Sequence, residues 1–211
     1  MKLNFIFSNL NTIVLVIWIL FLIIVAIRFF RPAWVRNISF LKLIIVSFVI
    51  NLLYGAFVTW GQYYVWATVG DFTRVFVNSP LPKQVPMPQL LEWTRPFFEN
   101  NFGYFLYYVL GRVWLYVFIS FLVSVILYFL FKIWKSYRGN FTEYGPELIL
   151  ILMLIVGWPG VIIFIPLGFL FSIILSFVYY LKGKKVTEIE PAFIVAALFT
   201  LIFGKIILNF L

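Results

Sequence analysis

The chain has no histidine and no cysteine. Those absences exclude disulfides, zinc sites built on Cys or His, c-type haem attachment, thiol nucleophiles and any triad that needs an imidazole. Acids are scarce too, with 7 Asp+Glu against 16 Lys+Arg in 211 residues and Asp71 as the single aspartate. Charged residues make up 11% of the chain, where a soluble domain carries about 25%. That is too little polar surface to wrap a water-soluble globule, and too much apolar sequence for a disordered chain. No Gly-rich phosphate loop occurs.

What fills the chain is hydrophobic sequence, 64% of residues with 22% aromatic, at a mean hydropathy of +1.08. A helix rises about 1.5 Å per residue and the bilayer core is about 30 Å thick, so a span needs roughly 20 mostly apolar residues. That ruler predicts an all-α integral membrane protein, one polytopic domain over residues 1–211. Its expected segments are 10–30, 43–60, 104–131, 148–157, 161–181 and 191–208, with an external loop at 61–102. The first run is expected to be retained, because Arg28, Arg31 and Pro32 follow it rather than a small-residue cleavage site. Ser120 and Ser124, four apart in the third segment, present small side chains for close helix approach.

Leu148 to Leu181 is 34 residues without a charge. As one straight helix it would reach about 51 Å, far beyond the core thickness. It contains Gly157-Trp158-Pro159-Gly160 and then Pro166. Proline removes a backbone donor and pushes its predecessor out of the helical region, so a helix break is expected around Gly157, Pro159 and Gly160, with Pro166 beyond. The result is a broken or re-entrant hairpin.

The net charge of +9 fits orientation in a bilayer better than nucleic-acid binding. Arg28, Arg31, Arg36 and Lys42 follow the first segment; Lys132, Lys135 and Arg138 follow the third; Lys182, Lys184 and Lys185 precede the last. All three groups lie on the cytoplasmic side only if 148–181 turns back, which places both termini on the outer side. Lys2 and Lys205 then sit near the outer interface. The 61–102 loop balances Arg74, Lys83 and Arg95 against Asp71, Glu92 and Glu99. Pro80, Pro82, Pro86 and Pro88 predict an extended middle, and Gln89–Phe98, with Leu90, Leu91, Trp93, Phe97 and Phe98, a segment on the bilayer surface. Tyr63, Tyr64, Trp66, Tyr104, Tyr107 and Tyr108 form an aromatic belt, with a lid or docking surface as the alternative.

No acid falls in the middle of an expected span, which argues against a proton-coupled carrier. Arg112 is the only charge clearly inside an expected span, and Asn51 lies inside the second span. Arg112 is expected to snorkel toward the outer interface and Glu99, and Asn51 to bond a neighbouring helix. Glu143 and Glu147 stand four apart, and Glu147 follows Pro146 in a first helical turn, where an acid offsets the helix dipole. As a catalytic pair they would have to face each other across a cleft.

Tyr144-Gly145-Pro146-Glu147-Leu148, a short apolar leg, Gly157-Trp158-Pro159-Gly160, a long apolar leg, Lys182-Gly183-Lys184-Lys185, then Pro191-Ala192-Phe193-Ile194-Val195-Ala196-Ala197 and Gly204 make a recognisable series. It resembles the C-terminal half of type IV prepilin peptidases, intramembrane aspartic proteases, over residues 141–211. Registered through Gly157-Trp158, the family's motif aspartate falls on Gly145 and its lysine on Glu147, while its leucine is kept at Leu148. The last stretch keeps Phe193 without the family's paired prolines, and the family's Cys-rich cytoplasmic domain has no counterpart. The resemblance therefore implies a relative without the catalytic aspartates, with Glu143 and Glu147 as substitutes if any chemistry survives.

Together these readings predict a non-catalytic structural or assembly subunit of a membrane complex, without cofactor or metal. The expected partners are the lipid bilayer and other membrane-protein subunits, with no nucleic acid. The alternatives are a degenerate prepilin-peptidase-like protein and a small channel or carrier subunit. A bacterial inner membrane is the preferred location and an organellar inner membrane the other.

Overall fold

The computed structural model describes residues 9–68, 70–138, 141–183 and 188–210. Lys2, Lys184 and Lys185 lie outside the described residues, as do the side chains of Leu90 and Arg138. The elements are α1 (Leu10–Phe30), a 3₁₀ turn (Pro32–Val35), α2 (Phe40–Thr68), α3 (Asp71–Val77), a 3₁₀ segment (Gln89–Phe98), α4 (Gly103–Val109), a π-helical turn (Leu110–Trp114), α5 (Leu115–Arg138), α6 (Gly145–Val156), α7 (Val161–Leu181) and α8 (Glu190–Leu208). Among the described residues there is no strand. Five helices among them are long and apolar enough to cross a membrane: α1, α2, the continuous Gly103–Tyr137 helix, α7 and α8.

Two helices outrun their apolar cores. α2 continues helical to Thr68, so the first residues assigned to the 61–102 loop belong to it. The third span reaches Tyr137 rather than ending at Phe131. Hydropathy marks where lipid ends, but the backbone hydrogen-bond ladder continues through Trp60–Trp66 and Lys132–Tyr137 because no Pro interrupts it. The chain divides into two compact units, Met1–Asn51 with Phe118–Leu211, and Leu52–Val117.

In the first unit α6 is the centre. Every residue from Leu148 to Ile155 is buried. A helix apolar on all sides needs cover on all sides. α1 supplies one wall through Trp18, Phe21, Leu22 and Val25, spaced as one helical face. α8 brings Ala192, Ala196 and Ala197, small residues that let backbones approach. Phe193 fills the space between them. Its ring lies 5.5–5.8 Å from those of Phe131, Phe164 and Phe169, all at steep edge-on angles. It rests on Gly168 of α7, where a Cβ would come within 2.4 Å of the ring. Ser120 and Ser124 are buried on one side of α5.

α6 ends at Gly157, whose φ of 67° and ψ of 173° belong to a backbone region open only to glycine. The Trp158–Pro159 peptide is cis, and α7 starts at Val161. Polar backbone groups freed by the break find partners. Gly157 N–H donates to Met153 O at 2.9 Å, Val161 N–H to Gly157 O at 3.0 Å and Phe164 N–H to Gly160 O at 2.9 Å. Asn51 Nδ2 donates to Leu154 O at 3.0 Å and to Ser47 O on its own helix at 3.0 Å. Pro166 does not break anything: α7 runs through it unbroken. It lies in the second turn, where its missing N–H removes a single rung, the bond to Ile162.

In the second unit, Trp114 Nε1 of the π-helical turn donates to Thr59 Oγ1 at 3.1 Å, and the indole faces Gly55 of α2. The proline-rich stretch is pinned and not extended throughout. Val85 N–H closes a turn on Pro82 O at 3.0 Å, and Arg95 grips it by donating to Val85 O at 3.1 Å while pairing with Glu92 at 2.5 Å. Leu81 N–H donates to Phe98 O at 2.8 Å. Gly103 is obligatory beside it, since a Cβ there would lie 1.7 Å from that same Phe98 oxygen. Trp93 is 73% exposed and Phe97 is exposed beside it.

Candidate functional site

The acids of the first unit, Glu143, Glu147, Glu188 and Glu190, gather at one end of it. The last turn of α1, the first turn of α2, the end of α5, the 141–147 approach to α6 and the first turn of α8 meet there. Two contacts set this level. Phe40, first in α2, stacks on Tyr144 just ahead of α6 with ring centroids 5.3 Å apart. Thr142 bonds Glu190, first in α8.

Glu190 is fully buried. Its Oε1 accepts from Thr142 N–H at 2.6 Å and from Thr142 Oγ1 at 2.8 Å, while Oε2 is buried with no hydrogen-bond partner. As the first residue of α8, Glu190 also places its charge in the first turn, at the positive end of the helix dipole. Gly145 makes room for it: a Cβ at 145 would lie 2.3 Å from Glu190 Oε1 and 2.9 Å from the Phe141 ring. The carboxylate therefore occupies the volume that any side chain on residue 145 would need. No reading of the sequence singled out Glu190, because a Glu-Pro pair opening an apolar helix looks like an ordinary dipole cap.

Glu143 and Glu147 are not brought together. Glu147 turns toward α5, where its Oε1 accepts from Tyr128 OH at 3.2 Å and its Oε2 is buried without a partner. Glu143 is exposed on the other side, and its backbone carbonyl accepts from Lys135 Nζ. The Tyr144 phenol is held above its usual range by its hydrogen bond with Glu143, then by that carboxylate's charge, with Arg28 pulling the other way. Among the described residues no three acids cluster as a metal site would require.

Beside these groups lies a cleft of about 460 Å³ whose lining includes Arg28, Phe40, Thr142, Glu143, Tyr144 and Glu188. The Arg28 guanidinium lies over the Phe40 ring, 5.4 Å from its centroid, and its Nε is buried without a partner.

Of the two polar residues singled out within expected spans, Asn51 belongs to the first unit and Arg112 to the second. Asn51 closes the frayed end of α6. Arg112 is exposed within the π-helical turn and lies over the Tyr108 ring at 5.8 Å, one turn back along its own helix. It finds an aromatic face there, and not Glu99.

No family model, no curated protein and no solved structure matches the chain.

Proposed function

We propose that this chain is a non-catalytic subunit of a membrane assembly. The reading is carried by the engagement of its acids. Glu190 is locked to Thr142 and Glu147 is tied to Tyr128, so Glu143 and Glu147 do not face each other across a cleft as a catalytic pair would have to. Surface for partners is ample: the apolar windows of α2 and the Gly103–Tyr137 helix are each only 17% buried, which leaves most of both helices to lipid or neighbouring helices. α6 lines a packed core and not an aqueous path, which weighs against the channel or carrier alternative. Extraction in mild detergent with cross-linking is the test. A defined larger complex is expected, and a lone monomer under every mild condition would end the subunit reading.

The proposed topology has six segments, with α6 and α7 as a hairpin and both termini on the outer side of a bacterial inner membrane. Three features support the hairpin. α6, at 12 residues, is about 18 Å long and cannot span alone. Its start is level with that of α2 and its Leu154 with Asn51, so it runs alongside α2 to mid-depth. Gly168 meets Phe193, three residues from Glu190, so the early turns of α7 lie near the end at which α6 begins.

A second reading is a degenerate prepilin-peptidase-like protein. It is favoured by one observation: the residue in register with the family's motif aspartate, Gly145, has a carboxylate lying against it, donated by Glu190. Co-expression with a pilin-type leader peptide separates the readings. Cleavage that disappears in Glu190→Gln or in Glu143→Gln/Glu147→Gln would establish an enzyme; no cleavage by the unaltered chain leaves the subunit reading standing.

A further inference from the structure

We infer that the cleft beside Arg28 is a binding site for the phosphoethanolamine headgroup of a membrane phospholipid. Arg28 stands in the last turn of α1. That helix has 21 residues and is about 32 Å long, matching the hydrocarbon thickness, so the guanidinium lies at headgroup depth. The site is preformed. At about 460 Å³ it falls within the roughly 300–1,000 Å³ usual for small-ligand sites.

Its charges call for a ligand of both signs. Arg28 presents a fork of donors whose Nε is already withdrawn from water and unpaired, the arrangement that favours a phosphate oxygen. Glu143 and Glu188 line the same cleft. A purely anionic headgroup would bring no positive charge to those two carboxylates, whereas an ammonium next to the phosphate supplies it. The cation should carry N–H donors, because carboxylates and the Thr142 hydroxyl accept hydrogen bonds. A quaternary ammonium has none to give and favours an aromatic cage; here the Phe40 face is already covered by Arg28.

The apolar half of the ligand has a path as well. Ile24 lies one turn from Arg28 on the same face of α1, and Leu20 one turn further; both are exposed, as is Phe30 at the rim. Acyl chains lying along Ile24 and Leu20 would run toward the bilayer centre with the phosphate at Arg28. The inference depends on α1 spanning the bilayer and not on the subunit reading, so either can fail alone.

The test is native mass spectrometry of the full chain in detergent, titrated with phosphatidylethanolamine, phosphatidylcholine and phosphatidylglycerol of identical acyl chains. One phosphatidylethanolamine per chain is expected, preferred about tenfold over the other two. Arg28→Gln should abolish the preference. Glu143→Gln/Glu188→Gln should lose phosphatidylethanolamine preference and gain phosphatidylglycerol binding, a gain that misfolding cannot mimic. Equal binding of all three lipids by the unaltered chain, or an unchanged preference in Arg28→Gln with native helicity, would overturn the site. Water-soluble glycerophosphoethanolamine should not displace the lipid at equal concentration; displacement would overturn its assignment to a membrane ligand.

Discussion

Gly157 and Glu190 are the residues on which the first unit turns, for opposite reasons. At Gly157 space is free, since a Cβ would meet nothing within 4 Å, so only the backbone angle demands glycine. Gly157→Ala should therefore cost about 1–3 kcal/mol through strain alone, read as a lower melting temperature in detergent with the helix content of the folded state unchanged. At Glu190 the demand comes from its partner. Glu190→Ala strands the Thr142 N–H, and a loss of about 1–3 kcal/mol is expected. Glu190→Gln keeps an accepting oxygen for Thr142, so it should stay within about 1 kcal/mol of the unaltered protein. If the two substitutions melt alike, the Thr142 bond is not what Glu190 contributes. Apolar runs could not have disclosed either the Glu190–Gly145 approach or the cleft. Both are assembled from segments far apart along the chain, and their signals, one glycine and one Glu-Pro pair, are individually ordinary.

Among elements, α6 depends most on its neighbours. Too short to span and apolar all round, it is held by α1, by α8 and by a single side-chain bond from α2. Asn51→Leu removes that bond and leaves the Leu154 carbonyl without its donor. A destabilisation of about 1 kcal/mol is expected, checked by denaturant unfolding in micelles. Gly168→Val drives a branched side chain into the Phe193 ring and should cost about 1–3 kcal/mol as an overpacked core. The apolar runs of α1, α7 and α8 were legible in the sequence, and so was a break near Gly157. The ends of α2 and of the Gly103–Tyr137 helix were not, because aromatic and basic residues outside the hydrocarbon still form helix. Pro166 misled for a related reason: close to a helix start, proline costs only one rung.

For the whole molecule, the charge pattern predicts a sidedness that labelling can read. The absence of cysteine makes every introduced thiol unique. Lys83→Cys should react with an impermeant maleimide from outside intact cells. Tyr137→Cys, at a position 84% exposed, and Lys182→Cys should react only after the membrane is opened. Labelling of Lys182→Cys from outside would mean that α6 and α7 make a single crossing, and the proposed positions of α8 and of the C-terminus would invert with it.

The close fit of Gly145 under Glu190 also constrains which substitutions can accumulate, and in what order. An aspartate introduced at 145 collides with the existing carboxylate, so Gly145→Asp alone should misfold. The same change made after Glu190→Gly has only the Phe141 side chain, 2.9 Å from the added Cβ, left to displace. The two positions form a sign-epistatic pair in which one acid must leave before the other can arrive, and a deep mutational scan covering both sites would display that dependence directly.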